Sequence, residues 1–78
     1  MPTVLRVNGF RFFFFSKEGT EPPHIHVDKA ESYAKYWLDP VGLARNRGFR
    51  THHLTEIREI VEQNRTLFLE KWHEHFRH

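Results

Sequence analysis

Residues 3–16, TVLRVNGFRFFFFS, contain two β-runs around Asn8-Gly9. A type I′ turn needs positive φ at both central positions, and asparagine followed by glycine supplies both at the least steric cost. A two-residue turn there sets Val7 opposite Phe10, Arg6 opposite Arg11, Leu5 opposite Phe12 and Val4 opposite Phe13. Side chains alternate along a strand, so Leu5, Val7, Phe10, Phe12 and Phe14 share one face. Val4, Arg6, Arg11, Phe13 and Phe15 share the other.

Working outward, KEGTEPP reads as a loop in which Pro22 and Pro23 hold the chain extended on entry to a third strand. HIHVDKAESYAKYWL, residues 24–38, reads as a second hairpin turning between Lys29 and Ser32. That turn has no glycine or asparagine to pin its register. Ile25, Val27, Ala34, Tyr36 and Leu38 suit the core. His24, His26, Asp28, Tyr33, Lys35 and Trp37 fall on the opposite face. Asp39-Pro40 has the spelling of a helix start, an N-cap followed by proline at the first helical position. A short helical turn over Pro40 to Asn46 would stop at Gly48. A long helix is expected from about His52 to Phe76, capped by Thr51. Its apolar stripe is Leu54, Ile57, Val61, Phe68, Trp72 and Phe76, with Ile60 and Leu67 beside it. The expected fold is α+β: a four-stranded antiparallel sheet of two hairpins, one long C-terminal helix on one face, and a short helical turn before it.

At 78 residues the chain is expected to be one domain, 1–78, with a core small enough to make a partner or oligomer useful. Net charge is only +2. Between Lys29 and Arg50, however, Lys29, Lys35, Arg45, Arg47 and Arg50 face only Glu31 and Asp39. Cysteine is absent, which removes disulfides, thiolate metal sites and thiol nucleophiles. Arginine and asparagine within the first ten residues do not fit a signal peptide, and the apolar run Phe12 to Phe15 is too short to span a bilayer. A soluble cytoplasmic protein without membrane contact is the expectation.

The face opposite the helix carries the candidate chemistry. Phe13 and Phe15 would be left uncovered near Trp37, which marks a partner interface or a homodimer contact. Arg6 opposite Arg11 puts like charges across a strand pair, and a carboxylate or a bound phosphate should offset them. His24 and His26 lie about 7 Å apart on one strand face. They could be structural, could share a metal with Asp28 as third ligand, or could act as acid and base. A metal-independent ribonuclease needs an acid, a base, cations for the developing charge and stacking aromatics. His24, His26 and Lys35 are the candidate catalytic set. Arg6, Arg11, Tyr33, Trp37, Arg45 and Arg47 are the candidate nucleic-acid contacts, and no cofactor is expected. His52 and His53 sit where the helix dipole disfavours their charged forms, so they are poor anion clamps. His73, His75 and His78 read as a solvated tail.

In MPTVLR, the NG-FRFFFFS hairpin, EPPHIHV, AKYWLDPV and the helix ending EKW, the chain resembles the bacterial domain of unknown function 4160 family over nearly its whole length. PPHIHV is the most specific segment. The resemblance implies a small cytoplasmic protein encoded beside a partner of the domain of unknown function 2442 type. Such pairs are treated as toxin–antitoxin candidates, with this type of chain as the toxin. RNA binding or cleavage through the His/Arg/aromatic face is the functional expectation. A non-enzymatic protein-binding module and a histidine-based metal-binding domain are the alternatives. His53 stands where family members tend to carry glutamate, which weakens a helix-capping box there.

Overall fold

A computed structural model describes residues 3–16 and 19–76. Lys17 and Glu18 of the expected loop, and His78 of the expected tail, lie outside the described residues. The elements run β1 (Thr3–Val7), β2 (Phe10–Phe13), β3 (His24–Lys29), β4 (Ser32–Leu38), β5 (Val41–Arg47), α1 (Thr51–Gln63) and α2 (Arg65–His75). All strands pair antiparallel with their sequence neighbours, in the order β1-β2-β3-β4-β5.

The first hairpin turns as its spelling requires, with Asn8 at φ 52° and Gly9 at φ 84°. Val7 pairs with Phe10, Arg6 with Arg11 and Leu5 with Phe12, but Thr3 rather than Val4 meets Phe13. A β-bulge between Thr3 and Leu5 accounts for the shift, and it lets Val4 pack on the core instead of the opposite face. In the second hairpin Lys29 pairs with Ser32, and Ala30 supplies the left-handed position at φ 53°. Ile25, Val27, Ala34 and Leu38 are fully buried under the helices and Tyr36 nearly so. Each large aliphatic buried this way contributes roughly 1.5–3 kcal/mol. The Tyr36 hydroxyl donates to the Leu54 carbonyl at 3.2 Å, which satisfies its one polar atom.

Two expectations are corrected. The sheet has five strands, because Val41–Arg47 forms β5 rather than a helical turn. Asp39-Pro40 is the two-residue turn of a third hairpin, with Leu38 paired to Val41. A seven-residue helix gains little from its own hydrogen bonds, whereas the edge of β4 satisfies one whole flank of the segment. Asp39 caps no helix; its carboxylate accepts from Arg65 at 2.8 Å.

The helical region is also two helices, not one. Asn64 interrupts it at φ −111° and ψ 17°, with its side-chain Nδ2 donating to the Ile60 carbonyl at 2.9 Å. Such local side-chain bonds compete with the helical ladder. The apolar stripe survives the break: Ile57, Ile60, Val61, Phe68 and Trp72 are buried along it. Arg65 ties the break to the sheet, its Nε donating to the Leu38 carbonyl at 2.7 Å.

α1 begins one residue earlier than expected, at Thr51, with Arg50 rather than Thr51 at the cap. His53 replaces a capping glutamate in role, since its Nδ1 accepts the Arg50 backbone N–H at 3.4 Å. That bond needs an unprotonated Nδ1. Burial first, then the His52 imidazole and Lys29, hold the His53 pKa below the ordinary imidazole value, against the pull of Glu56. A group whose pKa is depressed on folding stabilises fully above its unfolded pKa, about 6.5 for histidine. The contribution is lost as pH falls through the lower folded value. We predict that the thermal midpoint drops between pH 7.5 and 5, and that His53→Gln, which keeps an acceptor that does not titrate, drops less over the same interval. An equal acid drop in His53→Gln would rule out this cap as the titrating element.

Candidate functional site

The strand register lays out the face away from the helices. One row runs Arg6, Arg11, Asp28, Tyr33, Arg47 across the five strands. The next row runs Phe13, His26, Lys35, Arg45, and a third pairs His24 with Trp37. The predicted site residues therefore come together on one face. They are not equally available.

Both imidazoles are sealed, His24 being 0% and His26 1% exposed. Phe13, expected to be uncovered, is buried, while Phe15 keeps 36% of its surface exposed. The cause is local. Phe15 lies beyond the end of β2, and its ring sits with the centroid 4.4 Å from that of His26. Phe13 stacks on His26 from 5.6 Å, and the Arg11 guanidinium lies 4.3 Å over the Phe13 ring. Tyr33 stacks on the same imidazole with ring planes 22° apart, its hydroxyl 2.7 Å from His26 Nδ1. His24 is enclosed by His26, Trp37 and Trp72, at centroid distances of 5.0, 5.7 and 4.8 Å. Its Nδ1 donates to the Pro22 carbonyl at 2.9 Å. Trp72 belongs to α2, so the helices close one end of this face as well as covering the other.

Cations on the face divide into engaged and available. Arg11 donates from Nε and Nη2 to both carboxylate oxygens of Asp28, at 3.2 and 2.8 Å. That carboxylate answers the Arg6–Arg11 juxtaposition, and its hydrogen bond raises the Arg11 pKa. Lys35 donates to Glu21 at 2.6 Å and lies 4.7 Å over the Trp37 ring. Away from this face Arg58 pairs with Glu62, Arg65 with Asp39 and Lys71 with Glu74. Arg45 and Arg47 on β5 are exposed, and among the described residues no carboxylate lies within ion-pair distance of either. Arg6, on the far edge strand, is exposed too.

Beside these two arginines is a groove of about 460 Å³ lined by Phe15, Tyr33, Arg45, Asn46 and Arg47. The Arg47 guanidinium stands 6.0 Å over the Tyr33 ring. A second cleft of about 440 Å³, between β1 and α2, is lined by Thr3, Val4, Phe14, Lys71, Glu74 and His75. Its lysine is already paired with its glutamate, and His75, expected in a solvated tail, stacks on Phe14 at 5.9 Å.

This geometry sorts the candidates. His24, His26 and Lys35 share a face, but the two imidazoles are shut away and the lysine is held by Glu21. A general acid or base must come within hydrogen-bond reach of the proton it moves. In this arrangement His26 instead positions Tyr33 and Phe15, and His24 packs against His26 and the two tryptophans. His24, His26 and Asp28 do not make a ligand set either. Asp28 is committed to Arg11, and among the described residues no group of three or more His, Cys, Asp or Glu side chains is placed to hold a metal. Sequence reasoning missed Glu21 and Asn46. Neither has a local signal, because each acquires its place only when the loop and β5 close on the sheet.

The family model described as Domain of unknown function (DUF4160) matches residues 9–73. No curated protein and no solved structure matches the chain. Enclosure of the imidazoles has a chemical consequence: His24 and His26 should resist acylation by diethylpyrocarbonate while exposed His52 and His73 react. Phe15→Ala should open His26 to the reagent, read by peptide mass mapping. Rapid modification of His26 in the unaltered protein would show that Phe15 does not close over it.

Proposed function

We propose that this chain, which belongs to the DUF4160 family, binds single-stranded RNA through the β5 groove, with Arg45 and Arg47 on phosphates and Phe15 and Tyr33 as stacking surfaces. One observation carries the reading. On a face whose central cations, Arg11 and Lys35, are matched to carboxylates, two neighbouring same-face arginines on β5 have none among the described residues, beside partly exposed aromatic rings. Residues two apart on a strand stand about 7 Å apart, which suits successive phosphates of an extended strand. Stacking tolerates any base and arginine forks grip phosphate oxygens, so the combination favours single strands over duplexes. Arg6 and Arg47 close the two ends of one row, giving a strand that crosses the sheet a cation at each side.

Binding rather than cleavage is the function proposed. Cleavage by His24 and His26 would need Phe15 to leave its place over His26 and Lys35 to leave Glu21. The family resemblance supports a cytoplasmic, toxin-like role with a cognate antitoxin-like protein of the domain of unknown function 2442 type. Induced expression in a bacterial host should then slow growth, and co-expression of that partner should relieve it. A soluble product without effect on growth would remove the toxin-like part and leave the binding reading standing.

Binding itself is read from salt dependence. Each phosphate neutralised on a single strand contributes about 0.7 to the slope of log K against log salt. Arg45→Ala/Arg47→Ala should weaken binding of a short single-stranded RNA and flatten the slope by about 1.4, the sum for two contacts. Arg58→Ala, on the helical side, should leave both unchanged. An unaltered slope in the double variant would overturn the assignment of these arginines to RNA.

A further inference from the structure

β5 is the last strand of the sheet, seven residues long, and Leu43 to Arg47 are exposed throughout. Among the described residues its outer flank therefore presents backbone N–H and C=O groups without a neighbouring strand, the arrangement that accepts an added strand. The side chains bordering that flank are of two kinds. Arg45 and Arg47 share the face of Tyr33 and Lys35, and neither has a carboxylate among the described residues. Leu43 pairs with Tyr36, stands on the helix side and is 45% exposed. An edge that is cationic on one face and apolar on the other fits a strand with the complementary alternation. We infer that β5 is a docking edge for an extended acidic segment of a protein partner, which adds as a sixth strand with carboxylates on Arg45 and Arg47 and an apolar side chain on Leu43.

A second copy of this chain fits less well. Pairing two β5 edges would bring four uncompensated arginines onto one short seam, and like charges across strands destabilise. The chain's net charge of +2 favours an acidic partner in the same direction. Because the same two arginines line the groove, an added acidic strand would occupy the proposed RNA contacts. That part of the inference rests on the RNA reading; the strand addition does not.

The test uses nine-residue peptides of alternating valine and glutamate, N-methylated on one edge so that they cannot form fibres, against the full chain. Fluorescence anisotropy should give saturable binding. Methylating every amide, which keeps the charge but removes backbone pairing, should weaken it at least tenfold. Replacing glutamate by lysine should abolish it, and Arg45→Glu/Arg47→Glu should invert the preference so that the lysine peptide binds and the glutamate peptide does not. Equal binding of the fully methylated peptide would mean charge attraction alone, and no binding of the one-edge peptide would mean a closed edge; either overturns the inference. A chain that sediments as a dimer and refuses the peptide would assign the edge to a second copy instead. RNA binding is measured separately. Peptide bound without RNA affinity sinks the proposed function only, RNA bound without peptide affinity sinks this inference only, and mutual displacement is the result expected if both hold.

Discussion

The period-two alternation of β3 constrains everything built around it. Ile25 and Val27 are fully buried beneath α1 and α2, so His24 and His26 must point to the far side of the same sheet. Two imidazoles set side by side on a sheet need polar partners or company. This chain gives them both, through the Tyr33 hydroxyl, the Pro22 carbonyl and a shell of Phe13, Phe15, Trp37 and Trp72. The sheet consequently has packed side chains on both faces: an aliphatic and phenylalanine core under the helices and a smaller aromatic–histidine core opposite. The aromatic content, with eight phenylalanines in 78 residues, is used on both.

Charge follows the same division. Bidentate pairing of Arg11 with Asp28 holds the guanidinium over the Phe13 ring and answers the facing Arg6 at once. Lys35 behaves alike, its ammonium over Trp37 and its charge against Glu21. Cations nearest the centre of the face are therefore part of its packing. Those at the β5 margin are not, and that contrast separates a structural use of positive charge from a binding use.

Much of this was legible in the chain because it is local. Asn8-Gly9 specifies its own turn, the HIHV alternation specifies its own faces, and the apolar stripe from Ile57 to Trp72 specifies a helical surface even across Asn64. What escaped reading is what the neighbours decide. VGLARNR contains good helix formers, and only the free edge of β4 makes it a strand. Asn64 is a tolerable helix residue until its amide finds the Ile60 carbonyl. The bulge that turns Val4 inward has no sequence mark of its own. The site divides similarly: membership of one face follows from alternation, whereas accessibility depends on where Phe15 and Glu21 land, which no spacing rule reports. Arg11 and Lys35 looked as available as Arg45 and Arg47 until their carboxylates were located.

Trp37 and Trp72 are the chain's two tryptophans, and both rings touch His24. Intrinsic fluorescence is therefore a local optical signal here, not an average over the molecule. It reports packing around one imidazole, at the end of the sheet where α2 closes over the start of β3. The Asn8-Gly9 turn is dark to it. An emission-based unfolding curve would follow the loosening of that end, and agreement with a backbone signal such as circular dichroism is what would show that the two faces of the sheet come apart together.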